Sequence, residues 1–396
     1  MLEGKLIICD SNIPWHHNRY SKHHLMSQLA RSNEVVFVDP EEGAAAYLQR
    51  DRRQRGTLWR RYWQPAGEDL TVFTPLQFPG RLRLGFLQRW DEPYYVRQMR
   101  SVIRRHPGRD LILFIGNPWH VFLLDAFPEA ACTVYHCSDN FPAMFAGDFR
   151  RRFEEREREL IRRADLVVCS HATLVEKCRQ YSDRVHYLEH AVDERFFRPE
   201  GEVPCPEDLA EIPRPRVGLV GSLDGGIDYD LLREAAQATA DLSWVLIGPA
   251  KPEQAEEVQS LAALPNVWHL GPRPWERLPE YLWNLDVGVI PYRTSSFSQA
   301  RSPLKLYEYL AAGMKVVTTN ASAASEFSEH VQASQSGREF IDLTVRAASG
   351  AEADEGTGRA AARLRECHTW PHRAEELGRL VSESSRQAGG KGTAHA

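Results

Sequence analysis

RSPLKLYEYLAAGMKVVTTN, residues 301–320, decides the fold. Ser302 followed by Pro303 predicts a helix start, a hydroxyl N-cap and then proline at the first helical position. Gly313 predicts the helix end, because glycine takes the left-handed C-terminal conformation cheaply. KVVTT then predicts a short β-branched strand. A helix N-terminus offers free N–H groups and partial positive charge, which suit a phosphate. Arg301 and Lys305 add full charge there. Glu308, three residues beyond Lys305, shares its helix face and has the chemistry to accept hydrogen bonds from a ribose diol. Together these groups outline a nucleoside-diphosphate site. The alternative is an amphipathic helix with Lys305 and Glu308 as a surface pair.

Short apolar runs flank this stretch on both sides. KLIIC, EVVFVD, LTVFT, LILFIG, CTVYHC, DLVVCS and RVHYLE lie in the first half; RVGLVG, WVLIG, VWHLG, VGVIPY and KVVTT lie in the second. Uninterrupted runs of this length predict parallel strands buried on both faces. Their alternation with helical patterns predicts βαβ units and doubly wound sheets. The proline- and acid-dense segment RPEGEVPCPEDLAEIPRPR (198–216) interrupts the pattern and predicts a linker. The expected division is a first domain at 1–198, a linker at 199–215, a second domain at 216–350, closing helices at 351–388 and a disordered tail at 389–396.

Composition bounds the function. The 396 residues, 42% hydrophobic and 10% aromatic, suit two ordinary globular cores. A net charge of −5 argues against general nucleic-acid binding. Seven cysteines, at 9, 132, 137, 169, 178, 205 and 367, form no CxxC pair. They predict buried thiols in a reducing compartment, with neither a disulfide frame nor a zinc site. LIICD is too short for a signal peptide and ends in an acid, and no apolar run is long enough to cross a bilayer. The expected location is the cytoplasm.

Residues 301–320 resemble the donor-site helix of GT-B glycosyltransferases, in which a proline, a lysine, a glutamate and a small-residue run lead through glycine to a Val-Val strand. The resemblance extends over about residues 5–385, is most specific in the second half, and is closest to family-4-like enzymes of surface-polysaccharide synthesis. It implies an α/β GT-B architecture: two Rossmann-like doubly wound parallel-sheet domains facing across a cleft, acceptor in the first and nucleotide sugar in the second, with the final helix crossing back to the first domain.

In the donor half, VGLVGSLDGGIDYDLLREA (217–235) predicts a strand, a turn with Gly221, Ser222, Gly225 and Gly226, and a helix. Backbone N–H groups in such a turn approach a diphosphate closely. The spacing is not the GxGxxG fingerprint. Many relatives carry a lysine just after this turn; here Ile227, Asp228 and Tyr229 follow, shifting phosphate charge to Lys305 and Arg301. WVLIGPA and NVWHLGPRPWERLPEYLWNLDVGVIPY repeat the family order. By that resemblance Arg273 lies beside the base and Tyr292 walls the same pocket; the alternative for Arg273 is a solvated surface residue. Many retaining relatives have a glutamate eight positions before Glu308, where this chain has Ala300.

In the acceptor half, YHCSDNFPAMF (135–145) ends a buried strand in polar residues. Asp139 is the expected general base for an inverting transfer, the alternative being a strand-end cap. His136 is read as structural or substrate-orienting. SNIPWHHNRYSKHHLMSQLA (11–30) resembles the family's Trp–basic–His-His-Leu opening, which implies Trp15 as an acceptor-facing platform and His23 or His24 as lining residues. A metal held by these histidines is not expected, since His16 and His17 are adjacent. HAVDERFFRP (190–199) resembles the segment leading to the interdomain hinge, with His190 in place of asparagine. Residues 50–109 hold fourteen arginines, no lysine and five acids, interleaved with Trp59, Trp63, Phe78, Phe86, Leu87 and Trp90. That pattern suits an anionic membrane surface or a lipid-linked acceptor; the alternative is a solvated face with its aromatic side in the core.

The combined expectation is a metal-independent glycosyltransferase. It moves a sugar from a nucleoside-diphosphate sugar, UDP being the favoured carrier, to a hydroxyl of a glycan or lipid-linked acceptor. No cofactor beyond the donor, no metal and no nucleic-acid partner is expected, and peripheral membrane contact runs through 50–109. The competing readings are a nucleotide-sugar epimerase and a non-catalytic sugar-nucleotide-binding partner of another transferase.

Overall fold

The structure is a computed structural model that describes residues 2–16, 19–41, 63–76, 90–293, 303–321, 327–350 and 355–391. The chain divides into two compact units, Met1–Glu189 with Pro371–Ala396, and His190–Trp370.

The first unit is built on a sheet of eight described strands: β1 (Leu6–Asp10), β2 (Glu34–Val38), β3 (Trp63–Pro65), β4 (Leu70–Phe73), β5 (Leu111–Ile115), β6 (Cys132–Cys137), β7 (Leu166–Cys169) and β8 (Val185–Tyr187). Their order is β3-β4-β2-β1-β5-β6-β7-β8. Every pair is parallel except β3–β4. LIICD and LILFI are buried at every position, as strands covered on both faces must be. The chain leaves β1 toward β2 and later returns to its other side as β5, so the strand order reverses between β1 and β5. Ligands in such sheets gather beyond the carboxyl ends of the strands at that reversal.

The second unit has six described parallel strands: β9 (Arg216–Val220), β10 (Ser243–Ile247), β11 (Val267–Gly271), β12 (Val287–Ile290), β13 (Lys315–Thr318) and β14 (Val331–Ala333), ordered β11-β10-β9-β12-β13-β14. Its reversal lies between β9 and β12. The helix Tyr229–Ala238 starts at Asp228, whose carboxylate accepts from the Leu231 N–H, and the helix Gly337–Ala348 starts at Ser336, whose hydroxyl accepts from the Glu339 N–H.

All twelve apolar runs form strands. The two strands not anticipated, β3 and β14, have three residues each, too few for periodicity to register. The segment expected as a linker at 199–215 is instead folded into the second unit. It carries the helix Glu207–Ala210, and Leu209 and Ile212 are buried in that unit's core. The second unit also begins before 198: Val192 pairs with Thr369, and Phe196 and Phe197 join the same core. The closing helices run Glu355–Cys367 and Trp370–Lys391. The second of them extends into the region expected as a tail from 389. It packs within the first unit, where Ser384 donates to the Asp165 carbonyl and Arg373 pairs with Glu189.

Candidate functional site

In the second unit the reversal point is lined from both strands. After β9 the chain turns at Gly221, φ +119°, a conformation that L side chains rarely adopt. Gly248, after β10, lies so close that a Cβ there would meet the Gly221 carbonyl oxygen at 1.9 Å. Ser222 follows, with its hydroxyl oxygen buried and without a hydrogen-bond partner among the described residues. A native structure seldom buries such a group without purpose. The Lys305 ammonium approaches the same turn, 3.3 Å from where a Gly221 Cβ would stand, and sits 5.8 Å from the centre of the buried Tyr292 ring. Glu308 is partly buried on the same helix. Loss of solvation raises its carboxyl to about 7 against a lowering pull from Lys305, and the nearby Asp193 charge adds to the rise.

The helix carrying Lys305 and Glu308 is Leu304–Ala311, with Pro303 as its N-cap. The end matches expectation: Gly313 has φ +76°, its N–H donates to the Leu310 carbonyl, and the Met314 N–H donates to Tyr309. Those two bonds satisfy carbonyls that the last turn leaves open. The expected start, a Ser302 cap, and the cation Arg301 lie outside the described residues, as does Ala300. Sequence reasoning missed what fixes the helix against the turn. The Val220 N–H, at the last residue of β9, donates to the Tyr309 hydroxyl at 2.8 Å. The Tyr309 ring fits only because Gly288 has no side chain; a Cβ there would come within 2.4 Å of it. A glycine inside the apolar run VGVI was the available signal.

Arg273, expected beside a base, has a different engagement. Its Nε–H donates to the Tyr281 hydroxyl at 2.9 Å and its guanidinium pairs with Asp208. The fork thereby ties the 198–216 segment to the sheet. The carboxyl of Asp208 is held below its ordinary range; burial opposes this, and the hydrogen bonds from Arg273 and Tyr281 prevail.

In the first unit, Asp139 follows β6 and is half-buried. It is one of three negative or polarisable groups, with Cys9 and Asp10, that act on Lys22. Lys22 is 1% exposed, and burial pulls its ammonium below the ordinary lysine range against those three groups. Its Nζ donates to Asn12 Oδ1 at 2.7 Å. Asp10 ends β1 fully buried; its Oδ1 accepts from the Tyr95 hydroxyl at 2.5 Å and from His120 Nδ1 at 2.8 Å, and its Oδ2 has no hydrogen-bond partner among the described residues. Asp10, Lys22, Tyr95 and His120 were not singled out from sequence. The acid closing LIICD at a strand end was the signal.

The expected acceptor-side aromatics are enclosed. Trp15 is 5% exposed, packed edge-on against His23 and Phe37, with the Arg19 guanidinium 4.9 Å from its ring centre. It is therefore a core residue rather than an open platform. His23 is fully buried; its Nδ1 accepts from the Tyr20 N–H, and its Nε2–H donates to the Pro14 carbonyl. Both nitrogens thus serve the backbone, and burial lowers its pKa to about 4. His24 is 8% exposed in the same helix, and His136 is buried against Phe114. His16 Nε2 contacts Gln64, and His17 lies outside the described residues. Of the basic-aromatic region, residues 50–62 and 77–89 lie outside the described residues. Trp63 packs on Phe73 and under Arg105, whereas Trp90 is half exposed.

Residues 214–348 match the family described as Glycosyl transferases group 1. Over 223 residues the chain is 31% identical to the putative teichuronic acid biosynthesis glycosyltransferase TuaH of Bacillus subtilis (strain 168); the match covers 52% of this chain and 56% of that protein. The chain thus spans about half the length of this curated relative. Among solved structures, sucrose-phosphate synthase from Thermosynechococcus elongatus superimposes with a TM-score of 0.72 at 14% identity, covering 96% of this chain and 98% of that one. Anabaena HepE in complex with UDP and glucose gives 0.68 at 16% identity, covering 96% and 100%. WaaG, a glycosyltransferase involved in lipopolysaccharide biosynthesis, gives 0.62 at 14% identity, covering 95% and 99%. Two parallel-sheet α/β units with these likenesses make this a GT-B-fold chain whose residues 214–348 match the glycosyl transferases group 1 model.

Proposed function

We propose that this protein is a glycosyltransferase that moves a sugar from a nucleoside-diphosphate sugar, with UDP as carrier, to a hydroxyl of a glycan or lipid-linked acceptor, without a metal ion. One observation carries the reading: the buried, unpartnered Ser222 hydroxyl and the Lys305 ammonium converge on the close-packed Gly221 turn at a strand-order reversal. A diphosphate supplies an acceptor oxygen for the Ser222 hydroxyl and negative charge opposite the Lys305 ammonium. The likeness to a teichuronic acid glycosyltransferase and to a protein solved with UDP and glucose supports the donor class.

Each residue then has a chemical task. Negative charge grows on the leaving diphosphate as the glycosidic bond breaks, and the Lys305 ammonium stabilises it. The Ser222 O–H donates to a phosphate oxygen. Glu308, ionised, accepts from the ribose diol. Asp139 takes the acceptor proton if the anomeric configuration inverts. Peripheral contact with an anionic membrane through residues 50–109 belongs to the same proposal.

The test is UDP release from a panel of UDP-sugars with glycan and lipid-linked acceptors, in EDTA and in magnesium. Acceptor-dependent release that EDTA leaves intact, and that falls at least 100-fold in Lys305→Ala, is the expected result. Release that needs added divalent metal overturns the metal-independent part. Tight UDP binding with no turnover on any acceptor favours a non-catalytic partner instead.

A further inference from the structure

Cys137, Cys169 and Cys178 have no part in the proposed transfer, yet the fold brings them together. Cys137 ends β6 and Cys169 ends β7; the two strands are parallel and pair these residues in register, so their side chains share one face of the sheet. Cys178 lies in the last turn of the helix Ala172–Arg179 that follows β7. All three are fully buried, and their sulfurs lie within 4.8 Å of one another. Among the described residues this is the one group of three or more potential metal ligands in such proximity. Cys9 and Cys132 are buried in the same unit but belong to no such group.

The surroundings are polar in a way that simple packing does not require. Glu157, 1% exposed, places Oε1 within 4.0 Å of the Cys137 sulfur; it also accepts from the Tyr135 hydroxyl at 2.9 Å and from Lys177 Nζ at 2.7 Å. Zinc–sulfur bonds of about 2.3 Å put the sulfurs of a tetrahedral site roughly 3.8 Å apart. The observed spacing therefore needs each pair to close by no more than about 1 Å, within reach of small side-chain rotations.

We propose that Cys137, Cys169 and Cys178 form a buried trithiolate site for a divalent thiophilic cation, Zn2+. Three sulfur donors select a soft or borderline ion over magnesium or calcium. Charge favours a divalent over a monovalent ion. Three thiolates around Zn2+ carry one net negative charge beside the Lys177–Glu157 ion pair; around a monovalent ion they carry two. Binding breaks three S–H bonds and releases the protons to solvent.

The test uses the full chain carrying Cys205→Ser and Cys367→Ser, which removes the exposed thiols. It is stripped with chelator under reductant, then given Zn2+ or Co2+ both when folded and during refolding from urea. The expected result is one equivalent bound at submicromolar dissociation constant, a rise in Tm, and sulfur-to-cobalt charge-transfer absorption in the Co2+ form. Further replacement of Cys137, Cys169 and Cys178 by alanine should abolish all three. Less than a tenth of an equivalent bound under both conditions overturns the proposal, as does binding undiminished in the alanine variant. If that variant does not fold, a Co2+ form without thiolate charge transfer overturns it equally.

Discussion

Two residues, His23 and Glu308, carry pH-sensitive consequences of the environments that the fold gives them. His23 accepts a proton only near pH 4 when folded, against 6.5 when free. The unfolded chain therefore binds more protons between those values, and stability falls as the pH is lowered from 6.5 toward 4, by up to about 3 kcal/mol. Urea denaturation at pH 7 and pH 5 should show the loss in the parent and a smaller one in His23→Gln; equal losses would remove His23 from the account. Glu308 has the opposite sign. Its carboxyl titrates near 7 instead of 4.5, so the folded chain binds the extra proton and stability falls as the pH rises through that window. The ribose contact, however, needs the ionised form. UDP affinity should rise between pH 6 and pH 8 with an inflection near 7, and Glu308→Gln should flatten it; UDP's own second ionisation, near 6, would persist in the variant. An unchanged inflection in Glu308→Gln places the titration on the ligand alone.

Among the elements, the helix Leu304–Ala311 shows how far local chemistry can be read. The i, i+3 pair and the closing glycine were legible because each acts within a few residues, whereas Pro303, expected at the first helical position, stands one place earlier as the N-cap. The contact that aims the helix was not, since Val220 and Tyr309 are 89 positions apart and meet only through the sheet. Gly288→Ala would drive a Cβ into the Tyr309 ring, so a stability loss of about 1–3 kcal/mol and weakened UDP binding should appear together in thermal melts and titration. Tyr309→Phe keeps the ring and leaves the buried Val220 N–H unpaired, which costs roughly 1–3 kcal/mol with no clash. If Gly288→Ala destabilises without affecting UDP, the helix is not what positions the site. The same limit explains Trp15 and Arg273. Their residue types suit a sugar platform and a base contact, but the partners that claim them, Phe37 and Asp208, are distant in sequence.

At the scale of the molecule, the twelve apolar runs and their alternation with helices were enough to predict two doubly wound sheets, because strands buried on both faces need uninterrupted Val, Ile and Leu. Unit boundaries were harder. Proline density marked 198–216 as a break, but Leu209, Ile212 and Asp208 bind that segment into the second unit, and composition does not reveal which side a connecting segment packs on. The cysteines show the same limit: burial of Cys137, Cys169 and Cys178 was legible, but their meeting was not, because parallel strand register brings them together. Lys22 and Asp10 escaped notice similarly, as a buried cation and acid within runs that otherwise look structural.

The central claim is that the Gly221–Lys305 corner of the second unit binds the diphosphate of a sugar nucleotide. Calorimetric titration of the full chain with UDP in EDTA, for the parent and for Lys305→Ala, tests it most directly. The account predicts one site in the parent, a loss of at least 30-fold in affinity in the variant, and melting temperatures of the two ligand-free proteins within about 2 °C. No heat from a well-folded parent, or equal affinity in Lys305→Ala, would contradict it.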